Sequence, residues 1–177
     1  MSRIVVVGGG WSGVSAAVCA KKAGAEVTLI EKTDLLLGAG NVGGIFRNNG
    51  RYTAAEEMRE LGAGDLFAIM DACAVHKDLA FPGHAHASLY DVGAIEPQVR
   101  RLVQELGIEV MPETHVMDAT MEDGLVTAVI LNDDTQVKGD VFIDTTGSSG
   151  PMPTTSSSGR RNIKTDSPSQ EEPSLRL

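Results

Sequence analysis

The 177-residue sequence predicts a three-layer α/β fold, with a parallel β-sheet, flanking helices and an antiparallel β-meander. Three observations carry this expectation. The β-branched run Arg3 to Gly8 (RIVVVG) suits a strand buried on both faces of a parallel sheet. A glycine turn, a helical segment and a second strand, Glu26 to Ile30 (EVTLI), follow it at the spacing of a βαβ unit. Three β segments then come in close succession, His115 to Met121, Val126 to Leu131 and Thr135 to Lys138, with Asp123-Gly124 and Asn132-Asp133-Asp134 as hairpin turns.

The remaining elements fall between these. From Trp11 to Ala23, Val14, Ala17, Val18 and Cys19 recur at helical spacing, and Gly24 stands at the C-cap. Leu36 to Gly50 is rich in Gly and Asn and reads as a long loop. Thr53 to Leu61 reads as a Thr-capped helix stopped by Gly62 and Gly64, Asp65 to Val75 as a further helix, and Phe81 to Tyr90 as irregular or partly extended. Glu96 to Gly107 predicts a helix with Pro97 in its first turn and a stripe of Val99, Leu102, Val103 and Leu106. Ile108 to Met111 follows as a short strand, and Val141 to Asp144 (VFID) as a last buried strand running into Thr145-Thr146-Gly147.

These elements make one domain over residues 1–153. In residues 154–177 Ile163, Leu175 and Leu177 are the only large aliphatics in a Ser-, Thr-, Pro- and charge-rich stretch. Ordering a backbone costs about 1–2 kcal/mol per residue, and each buried aliphatic returns about 1.5–3 kcal/mol. Entropy wins, so a disordered polar tail is expected there.

A formal net charge of -9 argues against a nucleic-acid or anionic-membrane partner. The two cysteines, Cys19 and Cys73, stand far apart and outside any Cys-x-x-Cys pattern, which disfavours metal clusters and disulfide frameworks and suits a reducing, cytoplasmic setting. The apolar run Ile4 to Val7 is too short for a signal or spanning segment.

The chemistry concentrates in Gly8-x-Gly10-x-x-Gly13, with Trp11 and Ser12 inside it. Gly8 lets the chain turn out of the strand. Gly10 leaves room for a pyrophosphate, and Gly13 lets the helix pack closely with its N-terminus aimed at phosphate. Glu31 ends the second strand, where its carboxylate can accept hydrogen bonds from an adenosine ribose. A carboxylate there also disfavours a ribose 2′-phosphate, an argument that the neighbouring Lys32 softens. Strand, turn, helix and acid in register favour a dinucleotide site over a glycine-rich turn that binds nothing.

Three segments, VVVGGGWSGVSAA near the start, GAGNVGG after Glu31 and GDVFIDTTG from Gly139 to Gly147, carry a resemblance. Together they resemble the FAD-dependent oxidoreductase family of the glutathione-reductase-like FAD/NAD(P)-binding superfamily, over about residues 1–153. The resemblance implies a Rossmann-like FAD-binding domain with FAD as cofactor. It implies that Glu31 and Lys32 lie along the adenosine ribose and that Gly40 and Asn41 lie near the pyrophosphate or the flavin side. Val116 would meet adenine through its backbone, and Thr146-Gly147 would close over the dinucleotide. No catalytic side chain and no particular small-molecule substrate is implied.

Flavoproteins of this kind continue into a substrate domain and a return segment, whereas this sequence passes into its polar tail. Truncation, a second polypeptide completing the flavin site, or a non-catalytic nucleotide-binding module each accounts for that. The loss of hydrophobic periodicity at 151–153 favours truncation. An NAD-linked dehydrogenase is a more distant alternative. His84-x-His86 reads first as a polar loop pair and second as a proton-transfer or ligand pair, with His76 and His115 weaker candidates. Cys73 reads as a small buried apolar residue, and Glu56, Glu57 and Glu60 as a solvated helix face.

Overall fold

A computed structural model describes residues 1–44, 47–48, 56–81 and 84–147. In chain order the elements are β1 (Arg3–Val7), α1 (Trp11–Lys22), β2 (Glu26–Ile30), a 3-10 turn (Gly38–Gly40), β3 (Arg47–Asn48), a π turn (Arg59–Ala63), α2 (Gly64–Ala72), β4 (Ala74–Phe81), β5 (His84–Tyr90), α3 (Val92–Glu105), β6 (Glu109–Met111), β7 (Val116–Glu122), β8 (Leu125–Leu131), β9 (Gln136–Lys138) and β10 (Val141–Asp144).

The central sheet has the order β10-β1-β2-β6 and all its pairs are parallel, with Val6 opposite both Leu29 and Ile143. Successive residues of a strand point to opposite faces, and β1 uses both. Val6 joins Val14, Val18 and Leu29 in a core under the helices, while Val5 and Val7 join Ile30, Val129 and Leu131 in a second core under the meander. A strand in this position must be apolar throughout, which is why RIVVV lacks polar alternation. Each fully buried Val or Leu here contributes about 1.5–3 kcal/mol of transfer free energy. The meander β7-β8-β9 is antiparallel, as expected, so the three layers are helices, parallel sheet and meander.

Helix α1 ends where expected, with Gly24 at φ 89°. Helix α3 starts one turn earlier than the sequence suggests. Asp91 is its cap, its Oδ1 accepting from the N–H groups of Gly93 (2.8 Å) and Ala94 (3.2 Å), so Pro97 lies inside the helix and not in its first turn. Helix α2 stops at Ala72, short of Val75, because the chain turns there into β4. The stretch expected to be irregular or partly extended holds strand β5, paired antiparallel with β4 through three register shifts. Residues 36–50 hold a 3-10 turn and a two-residue strand opposite β5. The helix expected over 53–61 breaks at Gly62, as expected, where a non-helical φ of 111° separates it from α2, whereas Gly64 starts α2 and is no stop; its Thr53 cap lies outside the described residues. The tail at 154–177 also lies outside them.

Candidate functional site

Three backbone segments converge at the carboxyl end of the parallel sheet: the turn leaving β1, the loop leaving β2 and the end of β10. Open α/β sheets bind ligands at this edge. Between them lies a cavity of about 710 Å³, within the size range of cofactor sites. Gly8, Gly10, Trp11, Ser12, Glu31, Lys32, Gly40, Val116, Thr146 and Gly147 all line it. Gly13 and Asn41 do not. Gly13 lies beneath the turn, and the Asn41 side-chain amide donates to the Leu36 carbonyl (3.3 Å).

The glycines of the turn are small for different reasons. Gly8 has φ 105°, and a Cβ there would stand 2.5 Å from the Thr145 carbonyl oxygen. A Cβ on Gly13 would stand 1.8 Å from the Gly8 carbonyl oxygen, so the helix can start this close to β1 only without a side chain. At Gly10 a Cβ would meet no protein atom within 4 Å and φ is an ordinary −67°. The protein leaves that space open into the cavity.

Helix α1 begins beside this space. It has no side-chain cap and no acidic residue in its first turn. Its leading N–H groups and the positive end of its dipole therefore suit an anion. Net protein charge does not oppose this, because backbone N–H groups carry the interaction.

Glu31 is buried, 5% exposed. Its Oε2 accepts from the Gly9 N–H at 2.6 Å, and its Oε1 accepts from the N–H (2.8 Å) and hydroxyl (2.9 Å) of Thr33. A carboxylate has about four acceptor positions, so one on Oε2 remains for a ligand hydroxyl. The side chain thus ties the glycine turn to the end of β2 while facing the cavity. The Thr145 hydroxyl performs a similar tie on the other side, within 2.9 Å of the Val7 carbonyl and 2.7 Å of the Gly8 carbonyl.

The loop after β2 folds back to form a wall. The Leu37 N–H donates to the Gly9 carbonyl at 2.8 Å, and Leu37 and Gly38 both take positive φ, 73° and 48°. Farther back, the backbone N–H of Leu36 meets buried Glu96, which also pairs with Arg100; the Arg100 guanidinium donates to the Asp34 carbonyl at 2.6 Å. The Trp11 ring packs on Tyr90 and Phe67, at centroid distances of 5.6 and 6.0 Å.

Sequence reasoning missed Thr33, Thr145 and Tyr90. Thr33 and Thr145 adjoin motif residues and were within reach of it. His115 does line the cavity at its exposed rim, beside Val116. His84 and His86 lie on β5 and His76 on β4, not in a loop, and His76 does not line the cavity. Cys73 is buried at the C-cap of α2, away from the cavity. Burial first, then the Asp91 charge, pushes its thiol pKa up, so it stays a thiol at neutral pH. Among the described residues no helix is long and apolar enough to cross a membrane.

Comparison with known proteins places these features. The family described as Glucose inhibited division protein A matches residues 3–174. No curated protein matches the sequence. Aquifex aeolicus GidA, in its form II crystal, shares the fold with a TM-score of 0.64 at 17% identity, over 82% of this chain and 25% of that one. Thermovibrio ammonificans THI4 does so with a TM-score of 0.58 at 18% identity, over 82% and 56%. FqzB matches with a TM-score of 0.58 at 20% identity, over 82% and 36%. The chain thus spans between 25% and 56% of the length of these three structures. As many as 571 solved chains match, so the fold alone does not single out a substrate.

Proposed function

The chain belongs to the glucose inhibited division protein A family, with FAD as its cofactor, and from that premise we propose that the turn Gly8 to Gly13 and Glu31 hold the ADP half of FAD in an oxidoreductase. The open space beside Gly10 carries this reading. No protein atom explains a glycine there, whereas a pyrophosphate seated on the uncapped start of α1 does.

In this reading the pyrophosphate takes the Trp11 and Ser12 side of the turn, and the ribose hydroxyls take the remaining position on Glu31 with Lys32 alongside. The adenine lies beside the Val116 backbone, and Thr146-Gly147 close the cavity opposite. Gly40 borders the path toward the flavin. Asn41, bonded to the Leu36 carbonyl, supports that wall from behind. When bound, the flavin ring supplies electron or hydride transfer, and the chain's own residues bind, orient and shield it.

We assign no catalytic side chain. The chain spans between 25% and 56% of the length of these structures, and we assign contacts to a small-molecule substrate neither to it nor to a second polypeptide that completes the flavin site. The same fraction supports a second reading, a nucleotide-binding module that works only with such a partner. Two free cysteines support a reducing, cytoplasmic setting.

The absorbance spectrum of the purified chain, before and after mixing with FAD, tests the proposal. A flavin band that co-purifies or is taken up on mixing is the expected result. Uptake that requires a second chain selects the module. A colourless chain protected from thermal unfolding by NAD but not by FAD overturns both.

A further inference from the structure

Tyr90 stands at the end of β5, next to the Asp91 cap of α3, and is only 2% exposed. It does not line the cavity, yet it touches two residues that do. The Trp11 indole N–H donates to the Tyr90 hydroxyl at 3.0 Å, and that hydroxyl donates to the Gly40 carbonyl at 2.7 Å. A hydroxyl has one proton to give, and here it points to the loop while a lone pair receives the indole. The relay therefore has one direction and both partners are satisfied.

The fit around it is close. A Cβ on Gly40 would lie 2.4 Å from the Trp11 Nε1 and 2.6 Å from the Tyr90 hydroxyl, so the loop backbone rests directly on the two polar ring atoms. Trp11 is the first residue of α1, and Gly40 closes the 3-10 turn that walls the cavity. The loop between Glu31 and Gly40 also holds Leu37 in the left-handed region, a conformation that surrounding contacts must maintain. Burial raises the Tyr90 pKa, against the smaller opposing effect of the Trp11 hydrogen bond, so the hydroxyl keeps its proton near neutral pH.

We propose that Tyr90 is a positioning residue for the dinucleotide: through Trp11 and Gly40 it latches the 37–44 wall to the start of α1 and so slows cofactor release. This rests on the reading of the cavity as the FAD site. Tyr90→Phe keeps the buried ring and removes the hydroxyl, leaving an indole N–H and a carbonyl without their partner. Trp11→Phe breaks the same relay from its other end and leaves the Tyr90–Gly40 bond in place.

The test uses the full chain, with three readouts: hydrogen–deuterium exchange over 36–44 without FAD, the FAD dissociation rate well below the unfolding temperature, and Tm. In Tyr90→Phe, loop exchange is expected to rise while β1 and β2 stay protected, and FAD release to quicken about tenfold. Trp11→Phe should move both in the same direction by less. A merely structural role lowers Tm and leaves the release rate alone, which overturns the latch. Unchanged loop exchange in Tyr90→Phe also overturns it. A wild-type chain that takes up no FAD overturns the functional reading instead, and the latch is then judged by loop exchange alone.

Discussion

The base of the cavity and its wall are held by opposite means. The base is local: Gly8 to Gly13, the start of α1 and the end of β2 come from the first 31 residues, joined by backbone contacts and the Glu31 carboxylate. The wall is assembled at long range. Gly40 is pinned by a tyrosine 50 residues away, and that tyrosine by a tryptophan 79 residues from it. A local base can be built with little freedom to move, whereas the wall depends on a few directional bonds that can open one at a time. Binding geometry is thus fixed below, and access is controlled from the side.

Within the base a second contrast separates what the fold needs from what the ligand needs, and substitution can break it. Gly13→Ala carries the largest expected effect. Its Cβ would meet the Gly8 carbonyl at 1.8 Å and the Thr145 hydroxyl at 2.7 Å, and a backbone neighbour cannot swing aside. Overpacking of this kind costs about 3 kcal/mol, so Tm should fall by roughly 10 °C by thermal denaturation, with or without FAD. A Gly13→Ala chain as stable as wild type would show that the helix start is not seated as described.

Gly10→Val sharpens the contrast in the other direction. Its side chain enters empty space at an ordinary backbone conformation, so Tm without FAD should stay within about 2 °C of wild type. FAD affinity, followed by quenching of flavin fluorescence, should fall on the order of 100-fold, or about 2.7 kcal/mol. Retained affinity would remove the pyrophosphate from this turn. A large loss of Tm would mean that the fold, and not the ligand, requires the glycine.

How much of this was legible follows the same division. The β1-α1-β2 unit, the meander and β10 could be read because each follows from local periodicity bounded by turn residues. Strand β5 could be read only as irregular or partly extended, since three register shifts between it and β4 disturb the regular pairing of the hairpin. The start of α3 was masked by Pro97, which suits a first turn, although Asp91 was present as a capping residue. The motif residues of the site come together around one cavity, apart from Gly13 and Asn41, which support it from behind. Tyr90 carries no local signal at all. Its role exists only because β5 delivers it between Trp11 and Gly40.

Glu31→Ala has the smallest expected effect on binding and tests whether one side chain serves both fold and ligand. Removing the carboxylate takes the acceptor from the Gly9 N–H and the Thr33 N–H, while the Thr33 hydroxyl can still donate to the Leu35 carbonyl at 2.9 Å. Leaving buried donors unpaired costs about 1–3 kcal/mol, so a measurable drop in Tm is expected without FAD. If Glu31 also meets the ribose, FAD affinity should fall about tenfold as well, less than for Gly10→Val because the phosphate seat remains. The two losses can be separated by titrating ribose-lacking inorganic pyrophosphate alongside FAD. Binding of pyrophosphate should be nearly unchanged in Glu31→Ala, and binding of FAD reduced. A fall in Tm with FAD affinity unchanged would make Glu31 a strut of the turn alone and would withdraw the ribose contact, leaving the Gly10 space as the remaining support for the site.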